Sequence, residues 1–147
     1  MSLKQKLQED LKYSMKNKDV VRKSVVTLIR AAIKQVEVDK RIELDDSAVI
    51  DIVAKQLKQR RDSLEEFKKA NRQDLIDQTE SEIEVLKEYL PQQLSETELQ
   101  EIVNSVISEL GASSMKDMGK VMSSIQPKIK GRADGKLVNE LVRKQLN

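Results

Sequence analysis

The 147-residue chain contains no histidine and no cysteine. The usual general base, the thiolate nucleophile and the common zinc ligands are therefore all missing. Carboxylates, lysines, hydroxyls and two tyrosines remain. The adjacent acids Asp45 and Asp46 stand just before an apolar-periodic stretch, where they read as helix-capping acids and not as a catalytic dyad. Glu80, Glu82, Glu84 and Glu88 spread around a helix and read as a solvated face. No glycine-rich phosphate loop and no dinucleotide fingerprint occurs. These residues imply no catalytic residue, no metal site and no cofactor, and hence a protein that is not an enzyme by itself.

Binding chemistry is better represented. One basic set is Lys55, Lys58, Arg60, Arg61, Lys68, Lys69 and Arg72. Arg60 and Arg61 fall at the two edges of an apolar stripe, where their stems can cover a core while the guanidinium stays wet; the other reading is anion recognition. The second set, Lys116, Lys120, Lys128, Lys130, Arg132, Lys136, Arg143 and Lys144, is the candidate nucleic-acid contact. Residues 128–132 read as a basic loop entering a helix N-terminus, a combination that favours phosphate. Glu140 at helical spacing from Lys136 and Lys144 offers the alternative of internal pairing. The run Met115, Met118, Met122 reads as core or, alternatively, as a groove lining. Aromatic interleaving is absent, so any nucleic acid would be held by its backbone and shape.

The net charge of +2 hides a strong segregation. Residues 1–36 carry nine basic and three acidic groups, and residues 73–91 one and six. Residues 92–115 carry none and four, and residues 116–147 eight and three. Either these segments pair inside the fold or they present local potential to a partner.

The elements that must position these groups are helices. With 38% hydrophobic and 35% charged residues, and only Tyr13, Phe67 and Tyr89 aromatic, the core must be aliphatic. Four glycines and two prolines leave little turn material. Seven helices are expected. Ser2 and Gln5 form a capping box, and residues 17–19 break the chain before a stripe of Val21, Val25, Leu28, Ile29, Ala32 and Val36. Lys23, Arg30 and Lys34 lie opposite that stripe. After a loop over residues 39–46, Asp46 or Ser47 caps a helix with Ile50, Val53, Ala54, Leu57, Leu64 and Phe67 inward, and Asn71 is a left-handed stop. A fourth helix buries Ile76, Ile83, Leu86 and Leu90 and ends at Pro91.

Leu94-Ser95-Glu96-Thr97-Glu98-Leu99 then combines a capping box with a hydrophobic staple. The helix it opens has Leu99, Ile102, Val103, Val106 and Leu110 inward and closes at Gly111. Ser113 or Ser114 caps a sixth helix with Met115, Met118, Met122 and Ile125 inward. Asp134 caps a seventh with Leu137, Val138 and Leu141 inward. The expected fold class is all-α, with a four-helix N-terminal domain over residues 1–91 and a three-helix C-terminal domain over residues 95–147. No run of 18 apolar residues and no secretory signal pattern is seen, so the expected address is the cytoplasm, with no membrane partner.

Two stretches carry a family resemblance. Met118-Gly119-Lys120-Val121-Met122 and Lys130-Gly131-Arg132-Ala133-Asp134 resemble the GatB-like C-terminal tail domain of the tRNA-dependent aspartyl/glutamyl amidotransferase. Lys58-Gln59-Arg60-Arg61-Asp62-Ser63 through Tyr89-Leu90-Pro91-Gln92-Gln93-Leu94 resembles the stand-alone bacterial YqeY family. Together they cover the chain from about Val21 onward; Asn71 stands where family members often have glycine. The resemblance implies the same two helical domains and a tail that contacts the tRNA body. Its label, a carbon–nitrogen ligase with glutamine as amide donor, would pass by name only, since nothing here resembles the amidase or nucleotide-binding parts. The resulting expectation is a bacterial, cytoplasmic, non-catalytic tRNA-binding or amidotransferase-related accessory protein. The alternative is a helical protein-interaction module docking on an enzyme.

Overall fold

Five of the seven α-helices start where a short polar side chain, Ser2, Asp19, Asp45, Ser95 or Asp134, accepts from a first-turn amide. The computed structural model describes residues Met1–Asn147, and every regular element in it is helical. The chain clusters into two compact units, Met1–Leu90 and Pro91–Asn147.

The first unit contains α1 (Leu3–Lys16), α2 (Val20–Lys40), α3 (Asp46–Lys69) and α4 (Gln73–Lys87). Ser2 and Gln5 form the expected capping box: Ser2 Oγ accepts from the Gln5 amide at 3.2 Å, and Gln5 Oε1 from the Ser2 amide at 2.9 Å. Asp19 caps α2 by accepting from the Arg22 amide at 3.1 Å. The cap of α3 is Asp45, one residue earlier than expected, and its carboxylate accepts from the Ala48 amide at 2.9 Å. Asp46 is free for another task, and accepts from the backbone amide of Leu3 at 3.0 Å. The head of α1 is thus stitched to the head of α3. Helix α2 runs to Lys40, so the expected loop is shorter, and Arg41 turns the chain in the left-handed region at φ 53°. Asn71 does the same at φ 54°, as its type suggests.

The core of this unit joins Leu7, Val25, Val26, Ile29, Ile33, Val49, Val53, Leu57, Ile83, Val85, Leu86 and Tyr89. The inward face of α2 is rotated from the expected stripe: Val26 and Ile33 are buried, while Leu28 is 47% exposed. The reason is that α2 packs against α1, α3 and α4 together, so its apolar arc is set by three neighbours. On α3 the buried line is Val49, Val53 and Leu57, with Ile50 and Phe67 half-buried.

The second unit contains α5 (Glu96–Leu110), α6 (Met118–Ile129) and α7 (Gly135–Leu146), with one 3-10 turn at Met115–Asp117. Ser95 Oγ accepts from the Glu98 amide and Glu98 Oε1 from the Ser95 amide, both at 3.1 Å. Leu94 packs beside the core that Leu99 enters, which is the expected staple. Gly111 closes α5 at φ 61°. Asp134 caps α7, accepting from the Lys136 amide at 3.1 Å. The core consists of Leu99, Val103, Val106, Val121, Ile125, Ile129, Val138, Val142 and Leu146. Leu110 and Met115, expected inward, are exposed because each sits at the edge of the turn joining α5 to α6. The apolar line of α6 is Val121, Ile125 and Ile129, four residues apart. It carries the helix through Pro127 to Ile129, so Lys128 lies in the last helical turn and not in a loop.

Candidate functional site

The eight C-terminal bases fall on several elements. Lys116 lies in the 3-10 turn and Lys120 in the first turn of α6, with Lys128 in its last. Lys120 and Lys128 are eight positions apart, about 12 Å of helix. Lys130 follows α6; Lys136 opens α7, and Arg143 and Lys144 occupy its last turn. There the two cations complement the negative end of the helix dipole. Arg132 is half-buried and structural. Its Nε donates to the Gln92 carbonyl at 3.1 Å and its amide to the Ile129 carbonyl at 2.7 Å, while its own carbonyl accepts from the Leu94 amide at 2.8 Å. Lys128 and Arg132 meet in one groove, whose other charged lining is Glu98 and Glu101. Acid in the same groove reduces the potential a phosphate would feel. The Glu98 carboxyl is itself held below the usual carboxylate range, first by the Ser95 amide, with Arg132 adding to the effect.

In the first unit, part of the segregated charge pairs internally. Arg60 Nε donates to Glu82 Oε2 at 2.9 Å, tying α3 to α4 with both side chains mostly covered. Arg22 Nη1 reaches Glu88 Oε2 at 2.5 Å and Arg22 Nε lies 3.4 Å from Asp19. The hydrogen bond that Arg22 donates to the Glu88 carboxylate raises the Arg22 pKa further above its usual range. Beside this pair, Tyr89 is 2% exposed and donates its hydroxyl to Asp10 Oδ2 at 2.5 Å. Burial, then the Asp10 carboxylate, push its phenol above the usual range, so it stays neutral and donates. Lys6 Nζ stands 5.1 Å from the Tyr89 ring centroid and 3.3 Å from the Glu88 carbonyl. This corner fastens α1, α2 and the end of α4. Nothing in the sequence marks Tyr89 for it, because Asp10 is 79 positions away.

An open groove of about 550 Å³ runs between α1 and α2. Leu7, Ala31 and Ile33 line it apolarly, and Lys4, Arg30, Lys34 and Glu37 line it with charge. Leu7 and Ile33 are core residues whose edges form the floor. Lys4 and Glu37 form an ion pair across the two helices, and Glu37 also accepts from the Leu44 amide at 2.8 Å. These bonds, the one from Lys4 first, hold the Glu37 carboxyl below the usual carboxylate range. Arg30 and Lys34, one turn apart, are exposed. A second groove between α3 and α4 has the opposite balance, with Asp77, Glu80 and Glu84 beside Arg61 and Lys87. Sequence reading places Arg30 and Lys34 opposite the core stripe of α2 but does not connect them with Lys4. Their one-turn spacing on α2, set against the Lys4 face of α1, is the available signal.

Comparison with known proteins gives a consistent relationship. A protein in Lachancea thermotolerans named "Altered inheritance of mitochondria protein 41, mitochondrial" is 42% identical over 107 residues, 71% of this chain and 57% of the relative. A protein of the same name in Pyrenophora tritici-repentis is 30% identical over 141 residues, 94% of this chain and 77% of the relative. One in Kluyveromyces lactis is 39% identical over 84 residues, 56% of this chain and 45% of the relative. The chain thus spans 57% of the length of the first of these and 45% of the third.

These matches correct the functional expectation. The relatives are fungal proteins named for mitochondria, and their names carry neither tRNA nor an amidotransferase. They overturn the reading of a bacterial tRNA-binding or amidotransferase accessory protein, and the cytoplasmic address with it. The address rests on missing signals, which specify no compartment. The tRNA reading rests on a tail resemblance and on bases that the structure distributes over the 3-10 turn, α6, the segment after it and α7. The family model described as Yqey-like protein matches residues 4–146, and the chain belongs to the YqeY family.

Proposed function

We propose that this chain is a protein-binding module that receives an amphipathic, acid-edged helix of a partner in the α1–α2 groove. The observation that carries this reading is the groove itself: the exposed Ala31 lies above the buried Leu7 and Ile33, with the exposed cations Arg30 and Lys34 beside the Lys4–Glu37 pair. An apolar face on a helix fills such a floor, and carboxylates along its edge meet the cations. Charge complementarity of this kind sets partner choice and association rate more than affinity. The process served is the one named for the relatives, the inheritance of mitochondria.

The reading is tested by placing a photo-crosslinking residue at Ala31, an exposed position on the groove, in the full chain. One protein should be crosslinked in stoichiometric yield. Arg30→Glu with Lys34→Glu should abolish that product, and Arg143→Glu with Lys144→Glu on α7 should leave it. A product unaffected by the first pair of changes places the partner elsewhere and removes the groove from the account.

A further inference from the structure

The turn between α1 and α2 exposes large apolar side chains among unpaired cations. Tyr13 is 59% exposed, Met15 58% and Val20 75%. They occupy the last turn of α1 and the first position of α2. Met15 and Val20 line one shallow groove there with Lys18 and Lys23. Between residues 12 and 23 the chain carries Lys12, Lys16, Lys18, Arg22 and Lys23 against a single acid, Asp19. Asp19 is occupied by its cap bond to the Arg22 amide and its ion pair with the Arg22 side chain. None of the four lysines is paired with a carboxylate.

Buried, these apolar groups would stabilise a core; exposed at a helix-hairpin tip, they mark a contact surface. A tip of two helix ends suits a soft plane better than a groove-shaped partner. Tyrosine is at home at the boundary between lipid headgroups and acyl chains. Lysine stems reach along such a boundary while the ammonium stays with anionic headgroups. We infer that the α1–α2 turn is a docking tip for an anionic lipid surface, with Tyr13, Met15 and Val20 dipping into the headgroup layer and Lys12, Lys16, Lys18 and Lys23 holding its charge. The four cations against one neutralised acid supply the charge complementarity. No helix is long and apolar enough to cross a membrane, and contact of this type needs none. The tip is independent of the α1–α2 groove residues Lys4, Arg30 and Lys34.

The test is sedimentation of the full chain with phosphatidylcholine vesicles containing roughly 30% phosphatidylserine, beside vesicles of phosphatidylcholine alone. Retention is expected on the anionic vesicles only and should fall as salt rises. Lys12→Gln, Lys16→Gln and Lys18→Gln should weaken retention about fivefold per lysine. Tyr13→Ser with Met15→Ser and Val20→Ser should weaken it at least about tenfold. Leu110→Ser with Met115→Ser, at exposed apolar positions of the second unit, should leave it unchanged. All these positions are exposed, and helical circular dichroism verifies that each variant folds. Two results overturn the inference. One is no retention of the wild-type chain on anionic vesicles. The other is full retention of the Tyr13, Met15 and Val20 variant, which would leave a patch that takes any polyanion, such as heparin or RNA.

Discussion

The two units solve the same problem, holding amphipathic helices together, with different means. In the first, polar links join helices far apart in sequence: Lys4 with Glu37, Arg22 with Glu88, and Tyr89 with Asp10, at separations of 33, 66 and 79 residues. Two of them share the corner around Tyr89 and the third bridges the α1–α2 groove, beside a core of twelve side chains that includes an aromatic ring. In the second, the core is nine aliphatic side chains, and long-range ties to the backbone converge on one corner. There Gln93 Nε2 donates to the Gly131 carbonyl at 2.7 Å, Leu94 to Arg132, and Arg132 to Gln92. A unit of this size has a marginal core. Its stability therefore rests on single apolar contacts and on one latch, whereas the first unit distributes the same burden.

That contrast can be broken most forcefully in the small core. Leu99→Ala removes a side chain that is almost fully buried and should cost the second unit about 2–5 kcal/mol. The expected result is a thermal melt, followed by helical circular dichroism, that splits into an early step for the second unit and an unchanged late step. A single transition shifted as a whole would show that the units unfold together. The next largest effect belongs to the first unit. Tyr89→Phe leaves the Asp10 carboxylate without its donor and should cost about 1–2 kcal/mol in urea unfolding. A loss within error would mean that Asp10 finds water instead. Ser95→Ala should then lower the stability of the second unit by about 1 kcal/mol through its lost cap, while the late transition stays in place.

The smallest expected effect is a change of shape with pH. Because Lys4 and the Leu44 amide hold the Glu37 carboxyl below the usual carboxylate range, the ionised form stabilises the fold. That contribution is fully present above the ordinary carboxylate range and is lost as pH falls through the lowered folded value. Glu37→Gln should flatten the acid side of the stability profile of the first unit. The second unit should keep its own acid dependence through Glu98, whose carboxyl is also lowered. Identical profiles for the variant and the wild type would remove Glu37 from the acid response.

What can be read from the sequence follows the same division between near and far. Ser2 with Gln5, Ser95 with Glu98, Asn71, Gly111 and Asp134 are legible because a cap or stop depends on residues within one turn. The rotated face of α2 is not, since Val26 and Ile33 are inward only because three helices surround it. Leu28 and Leu110 match the helical period yet face outward, for periodicity gives a direction and not the width of the buried arc. The cap at Asp45 leaves Asp46 to the amide of Leu3, 43 positions earlier, a bond that no local pattern shows. The same limit governs the sites. The charge segregation is visible, but whether a base meets an acid or a partner depends on pairs such as Arg60 with Glu82, which only the packing of α3 on α4 creates.

The bond between Asp46 and the Leu3 amide has a consequence for isotope exchange. First-turn amides of a helix lack intrahelical acceptors, and helix ends commonly exchange with solvent deuterium soonest. Leu3 is an exception in this chain because its proton is held by a carboxylate of another helix. Its exchange is then clocked by the coupled opening of two helix starts, and Asp46→Asn, which weakens the acceptor, should release that one amide first while the neighbouring Gln5 amide keeps its rate.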